Sequence, residues 1–255
     1  MIESKKAIFS NEKPLVFSTV LAEQIGLKNA IVLSQVFNLC ASSQRCIESS
    51  RCVSASPKWW HEQLLFLNER ALRDVLKFLV NQNYITKVTE FDETYFIFTE
   101  LNKHKLSGID STRTLDFLPS CAATIGLHES IIVQRIHHEL ESKSNEVCSN
   151  YFRASFDTWQ SLLPFLSKTT LMQVAKNLVA KGVVKRKEEY AFADRTSWWT
   201  IDYGALRMYI EYFRRTTKEI ADRMAAEKAI QQQMKQVTAL LKNDAREWEW
   251  ESEDP

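Results

Sequence analysis

A register of about 100 residues runs through this chain of 255 and limits what it can fold into. Ala22, Ile25-Gly26-Leu27 and Ile31 recur as Ala122, Ile125-Gly126-Leu127 and Ile131, shifted by 100 positions. Trp60, Leu64, Phe66-Leu67, Leu72, Val75, Lys77 and Leu79-Val80 recur as Trp159, Leu163, Phe165-Leu166, Leu171, Val174, Lys176 and Leu178-Val179, shifted by 99. Most of the shared positions are apolar and keep helical spacing, as a repeated core requires. The chain therefore reads as one structural unit used twice.

The second copy shows the unit best. Residues Asp157–Leu163 carry a short helical pattern that stops at Pro164. Ser167 can cap a longer helix, Lys168–Ala180, by accepting from backbone N–H groups of its first turn. Gly182 stops that helix, and Val183–Lys187 and Ser197–Asp202 read as two strands around a charged hairpin. A short helix, a turn, a longer helix and a hairpin make a winged helix-turn-helix. In the first copy the same parts are Pro57–Leu65, a cap at Asn68, a helix Glu69–Asn81, and strands Ile85–Val88 and Thr94–Phe98. Each copy opens with a further helix, Lys28–Ala41 and His128–Ser142.

The expected fold class is mainly α with small β-hairpins (α+β): two tandem winged helix-turn-helix domains and a long C-terminal helix. The expected boundaries are an extension 1–13, domain one 14–101, a polar linker 102–116, domain two 117–203, a helix 204–246 and an acidic tail 247–255.

The run W…LPFLSK-T…L…L…KG-V…DRT-WWTIDY, within residues 115–206, resembles the N-terminal winged-helix domain of DnaD-type primosome proteins and of phage and mobile-element replication proteins. That resemblance implies origin binding and recruitment of the host helicase or its loader. The chain departs from the DnaD pattern in lacking a second, separate C-terminal helical domain, which removes the basis for expecting single-strand binding and duplex remodelling of that kind.

Composition narrows the function classes. Only 5 Gly and 5 Pro are present, which disfavours glycine-rich phosphate cradles. No phosphate loop, dinucleotide fingerprint, HExxH, GxSxG or Cys-x2-Cys occurs, and no catalytic residue, cofactor or metal is expected. Tyr95, Tyr190 and Tyr203 would suit a nicking enzyme only beside a metal-binding histidine pair. His137 and His138 are adjacent and splay by about 100° on a helix, so they make poor partners for one metal. Cys40, Cys46 and Cys52 lie six apart, too widely for a zinc knuckle even with His61 as a fourth ligand. With no secretory h-region and no apolar run of membrane length, a cytoplasmic protein with reduced thiols is expected.

The net charge is only +1, so nucleic-acid binding must come from local patches. Between residues 101 and 200 basic residues outnumber acids 13 to 10; from 201 onward acids lead 11 to 9. The start of the second copy's longer helix is free of acids, and its polar face carries Lys168, Thr169, Thr170, Gln173 and Lys176. These suit base edges and phosphates of duplex DNA, with the helix N-terminus toward the backbone. Lys185, Arg186, Lys187 and Arg195 are the wing candidates. In the first copy Arg70, Arg73 and Lys77 point outward, among Glu69 and Asp74. Winged helices also serve as transcriptional regulators and as protein-interaction adaptors, and both alternatives stay open here.

From 204 to 245 the chain is rich in Ala, Gln, Lys, Arg and Glu. Phe213, Ile220 and Met224, then Ile230, Met234, Val237 and Leu241, form an apolar stripe with a phase shift that needs a cover: packing back across the chain's own two domains or, the favoured reading, pairing two copies into a homodimer. Trp248 and Trp250 sit among acids and read as a solvated, unstructured end, or as a peptide that docks on a partner or covers a basic DNA face.

Overall fold

The computed structural model describes residues 12–44, 46–47, 50–90, 92–99, 102, 106, 113–142, 150–188 and 196–250. A few side chains within its helices and strands, and all beyond Met234, lie outside that description. The chain divides into two units, Met1–Ile210 and Glu211–Pro255. It is mixed α+β with small antiparallel sheets. Among the described residues no helix is long and apolar enough to cross a membrane.

In the first unit one element order occurs twice among the described residues, with one added short strand, Cys46–Ile47, in the first copy. It begins β1 (Leu15–Ser18), α1 (Thr19–Ile25), α2 (Leu27–Ser42), β2 (Cys46–Ile47) and β3 (Ser50–Ser54), then α3 (Pro57–Gln63), α4 (Glu69–Asn81), β4 (Thr86–Glu90) and β5 (Glu93–Ile97). It restarts at β6 (Thr114–Phe117), α5 (Pro119–Ile125), α6 (Leu127–Ser142) and β7 (Phe152–Ala154). It ends with α7 (Phe156–Leu162), α8 (Lys168–Ala180), β8 (Val184–Glu188) and β9 (Ser197–Ile201). The sheets run β2-β3-β5-β4 and β7-β9-β8, and β1 pairs with β6.

Local chemistry repeats with the elements. Asn68 accepts from the N–H of Ala71 at 2.8 Å and Ser167 from that of Thr170 at 3.1 Å, so both longer helices are capped where the side chains indicated. Leu64 and Leu163 end the preceding helices with the same backbone, φ/ψ −126/63° and −128/64°. After α4 and α8 the chain needs one left-handed residue to leave the helix. Asn83 (φ 55°) serves in one copy and Gly182 (φ 69°) in the other.

The recurring apolar pairs are the core. Trp60 and Trp159, Leu64 and Leu163, Leu72 and Leu171, and Leu79 and Leu178 are all fully buried, in one continuous cluster reaching from Phe17 to Ile210. One difference is instructive. The indole N–H of Trp60 donates to the Ser54 carbonyl at 2.8 Å. In the second copy the counterpart of Ser54 is Arg153, and the next carbonyl, Ala154, accepts from the indole N–H of Trp199 at 3.1 Å. Trp199 stands where β5 has Phe96, which brings no N–H. Among the described residues the buried indole N–H of Trp159 has no hydrogen-bond partner.

The polar stretch 102–116, read as a linker, is partly structure. Thr114–Phe117 is strand β6, paired with β1 and tying the two copies together. Asn102 is 1% exposed. Its Oδ1 accepts from Thr86 Oγ1 (2.9 Å), Thr99 N (2.9 Å) and Thr99 Oγ1 (3.0 Å), and its Nδ2 donates to the Asn83 carbonyl (3.0 Å). One side chain thus clasps the helix exit, β4 and the end of β5. Removing it leaves buried polar groups unmet. Asn102→Ala is expected to lower stability by about 2–3 kcal/mol in urea unfolding, with Asn102→Asp recovering part of the loss.

His137 and His138 take separate partners. His137 Nδ1 lies 3.0 Å from Tyr203 Oη, and His138 Nε2 lies 2.9 Å from Asp116 Oδ1 on β6. Burial pushes the Asp116 carboxyl up, but the hydrogen bond and charge of His138 outweigh it and hold the group below its usual 3.8. His138 is raised above 6.5, chiefly by its bond to Asp116, against burial and Arg135. The raised imidazole stabilises the fold below its ordinary value and loses that contribution as pH rises through the raised one. The lowered carboxylate contributes above its ordinary value and loses it as pH falls. The pair is therefore fully effective between about pH 4 and 6.5. Between pH 6 and 9 the wild-type Tm is expected to fall by about 1–2 °C relative to His138→Gln; both groups are partly exposed, which keeps the effect small.

The final element, α9, spans Tyr203–Trp250, four residues into the stretch expected to be an unstructured tail. Leu206 and Ile210 are buried in the first unit. In the second unit Phe213 is half-buried, and Ile230 and Met234 are exposed. The side chains of Ile220, Met224, Val237, Leu241, Trp248 and Trp250 lie outside the described residues.

Candidate nucleic-acid interface

In the second copy α8 presents a polar exposed face. Its start is fixed by the Ser167 cap, and no acid stands in its first turn. Lys168, Thr169, Gln173 and Lys176 are exposed. Thr170 faces inward enough for its hydroxyl to meet Ser167 Oγ at 2.8 Å, so it belongs to the cap more than to the surface. Lys168 Nζ is held 2.6 Å from Asp157 Oδ1 on α7, with both groups well exposed. Gln173 donates to Asn177 Oδ1 at 2.9 Å, and Asn177 donates to Glu129 Oε1 on α6 at 3.1 Å. Lys181 Nζ donates to the Ile125 carbonyl at the other end of the α5–α6 junction. These bonds fix the azimuth of α8 on its support.

The same face carries two apolar residues that sequence reasoning passed over. Met172 is 52% exposed and Val179 43% exposed, three or four residues either side of Lys176. Their signal was available: both fall outside the buried positions Leu171, Val174, Ala175 and Leu178. Exposed methyl and thioether groups beside Thr169 and Gln173 suit contact with thymine methyls.

The hairpin divides its basic run. Strand alternation puts Lys185 and Lys187 on one face and Arg186 on the other. Arg186 lies 5.1 Å from the Phe156 ring and 5.2 Å from the Trp199 ring, and its Nε donates to Ser197 Oγ at 2.9 Å. Its charge is committed to packing the sheet on the core, which corrects its assignment to the outer surface. Lys185 Nζ pairs with Asp202 Oδ2 at 2.8 Å; the bond raises the lysine and lowers the carboxyl. Lys187 is exposed and faces Trp198 across the ladder, and on the far side Trp198 faces Arg153, whose guanidinium lies 5.7 Å from its ring. A row of Arg153, Trp198 and Lys187 thus crosses the outer face. Arg153 was missed because β7, at three residues, shows no periodicity. Arg195 and Tyr190 lie outside the described residues.

In the first copy α4 exposes Arg70, Arg73 and Lys77, but Arg73 is paired with Glu69 at 3.0 Å. Between α4 and β4 lies a groove of about 280 Å³ with Leu76, Val80 and Phe96 in its floor and Arg73, Lys77 and Lys87 on its rim. Glu69 and Asp74 share the exposed surface of α4, whereas α8 carries no acid of its own and meets Asp157 of α7 at Lys168.

Other candidates are placed apart. Burial and the nearby Cys52 push the Cys40 thiol up to about 12, and its Sγ contacts the Phe96 carbonyl at 3.6 Å. Cys46 is exposed, and His61 Nδ1 is engaged with the Leu67 carbonyl at 2.7 Å. Among the described residues no three His, Cys, Asp or Glu side chains gather as a metal site would require. Tyr95 is buried, and burial raises Tyr203 beside His137. No family model matches this chain, and no curated protein matches it.

Proposed function

We propose that each copy is a winged helix-turn-helix and that the chain is a sequence-specific duplex-DNA-binding protein of a mobile genetic element, acting in replication initiation. The observation that carries the DNA reading is the acid-free, Ser167-capped start of α8, exposing Lys168, Thr169, Gln173 and Lys176 beside a hairpin that presents Lys187. A helix N-terminus of this kind attracts phosphate, and the following turn presents donors and acceptors to base edges. Lys185 on the hairpin and Arg70, Arg73 and Lys77 on α4 of the other copy are further candidates, of which Lys185 and Arg73 are paired with Asp202 and Glu69. The initiation role, with a host helicase or helicase loader as partner in the cytoplasm, is supported by the resemblance of residues 115–206 to DnaD-type winged helices. Exposed Ile230 and Met234 and half-buried Phe213 on α9 support a homodimer.

Fluorescence anisotropy on duplex DNA across a salt series tests the DNA reading. A protein neutralising about six phosphates should show log K falling against log salt with a slope near −5. Binding that is absent or flat at low salt would favour an adaptor that docks proteins, a reading that the Glu69–Arg73 pair on α4 keeps in play. A transcriptional regulator would bind with the same residues; a footprint at a promoter operator instead of an origin would favour it.

A further inference from the structure

The two copies are related by a rotation, not by a repeat along one direction. A shift of 100 places Gly26 on Gly126, and therefore Leu15, Val16 and Phe17 on Leu115, Asp116 and Phe117. In the β1–β6 ladder Leu15 faces Phe117, Val16 faces Asp116 and Phe17 faces Leu115. The pairs Leu15–Phe117 and Phe17–Leu115 thus exchange under the shift, Val16 pairs with its own counterpart, and Ser18–Thr114 extends the ladder at one end. Such a register is what a two-fold axis between Val16 and Asp116 produces. A second set of contacts obeys the same axis. Phe66, in the turn before α4, packs edge-on against Phe117 at 5.3 Å, and Phe165, in the turn before α8, packs edge-on against Phe17 at 5.7 Å. Reciprocal contacts of this kind define an isologous interface, here inside one chain. Each helix-turn-helix is braced on the strand of the other copy.

Duplex DNA has two-fold axes of its own, perpendicular to its length. Reading helices related by a two-fold meet two grooves of opposed polarity, whereas readers related by translation meet grooves of the same polarity. The α4 and α8 faces are not alike, however. Lys77 matches Lys176, but Glu69 stands for Lys168, Arg70 for Thr169 and Asp74 for Gln173. We propose that one chain reads a single duplex site made of two inverted half-sites of different sequence, one taken by each copy. This rests on the DNA-binding reading above.

The difference between the faces supplies the test. Glu69, Arg70, Arg73 and Asp74 are exposed, so Glu69→Lys, Arg70→Thr, Arg73→Met and Asp74→Gln together give α4 the exposed face of α8 while leaving the Asn68 cap and the core in place. Sites are selected from random duplex libraries with the unaltered chain and with the fourfold variant. The unaltered chain should enrich an asymmetric site with two arms. The variant should enrich a palindrome, each arm matching one arm of the original. A tandem direct repeat, or a single arm unchanged by the substitutions, would overturn the inverted arrangement while leaving DNA binding intact. Should the unaltered chain retain no duplex, the DNA-binding reading falls and the inverted site with it. Hydroxyl-radical footprinting of the unaltered chain guards against a misfolded variant: protections on the two strands should be related by a two-fold, and same-polarity protections would count against it.

Discussion

Replacing Phe117 with alanine is expected to cost about 3–5 kcal/mol and to weaken both copies at once. Phe117 is fully buried and stands between Phe17, at 6.1 Å, and Phe66, at 5.3 Å. Truncation removes a large apolar surface and leaves a cavity that β1, β6 and the turn before α4 cannot close without losing the ladder register. Because the buried cluster is continuous through the first unit, calorimetry and urea unfolding should report one cooperative transition at lower Tm. Two separated transitions, with only one displaced, would show that the copies fold as independent domains. The same substitution at Leu65, which is exposed, should stay within about 0.5 kcal/mol of wild type.

Alanine at both Lys168 and Lys176 is expected to weaken duplex binding by about ten- to a hundredfold near 100 mM salt and to flatten the salt slope by about two. Alanine at Arg73 and Lys77 should cost less, since Glu69 and Asp74 stand on the same exposed face of α4, whereas α8 carries no acid of its own; Arg73 and Lys168 are each paired with one acid, Glu69 and Asp157. The reverse order would make α4 the main reader. Arg186→Ala separates structure from contact. With its guanidinium between Phe156 and Trp199, it should lower Tm and leave the salt slope unchanged.

How much of this was legible in the sequence follows from range and length. The longer helices α4 and α8 were, because their apolar positions recur over 13 residues and their caps are local chemistry: Asn68 and Ser167 satisfy backbone donors three residues away. Strands β1, β6 and β7 were not. Each has only three or four residues, too few for alternation to register, and the partner of β1 lies about 100 residues away. Thr114–Phe117 was hidden inside a polar stretch that resembled a linker, and Asn102 looked like its first residue. At the candidate interface, Lys168, Thr169, Gln173 and Lys176 emerged as exposed neighbours because helical period sorts one face from another. The run Lys185-Arg186-Lys187 looked like one patch because its charge was counted before its period-two alternation was applied.

The β1–β6 ladder also sets an order of events on the ribosome. Strand β1 is made early, but its partner is residues 114–117. At about 5–20 residues per second, β1 waits about 5–20 seconds for β6. Throughout that interval the edge of β1 is open and Phe17 has neither Phe117 nor Phe165 to cover it. Because the register is self-complementary about Val16, the first partner available to a waiting strand is the same strand on a neighbouring nascent chain. Crowded polysomes should therefore favour entangled pairs, and slower initiation, which spaces the ribosomes, should raise the yield of correctly closed chains.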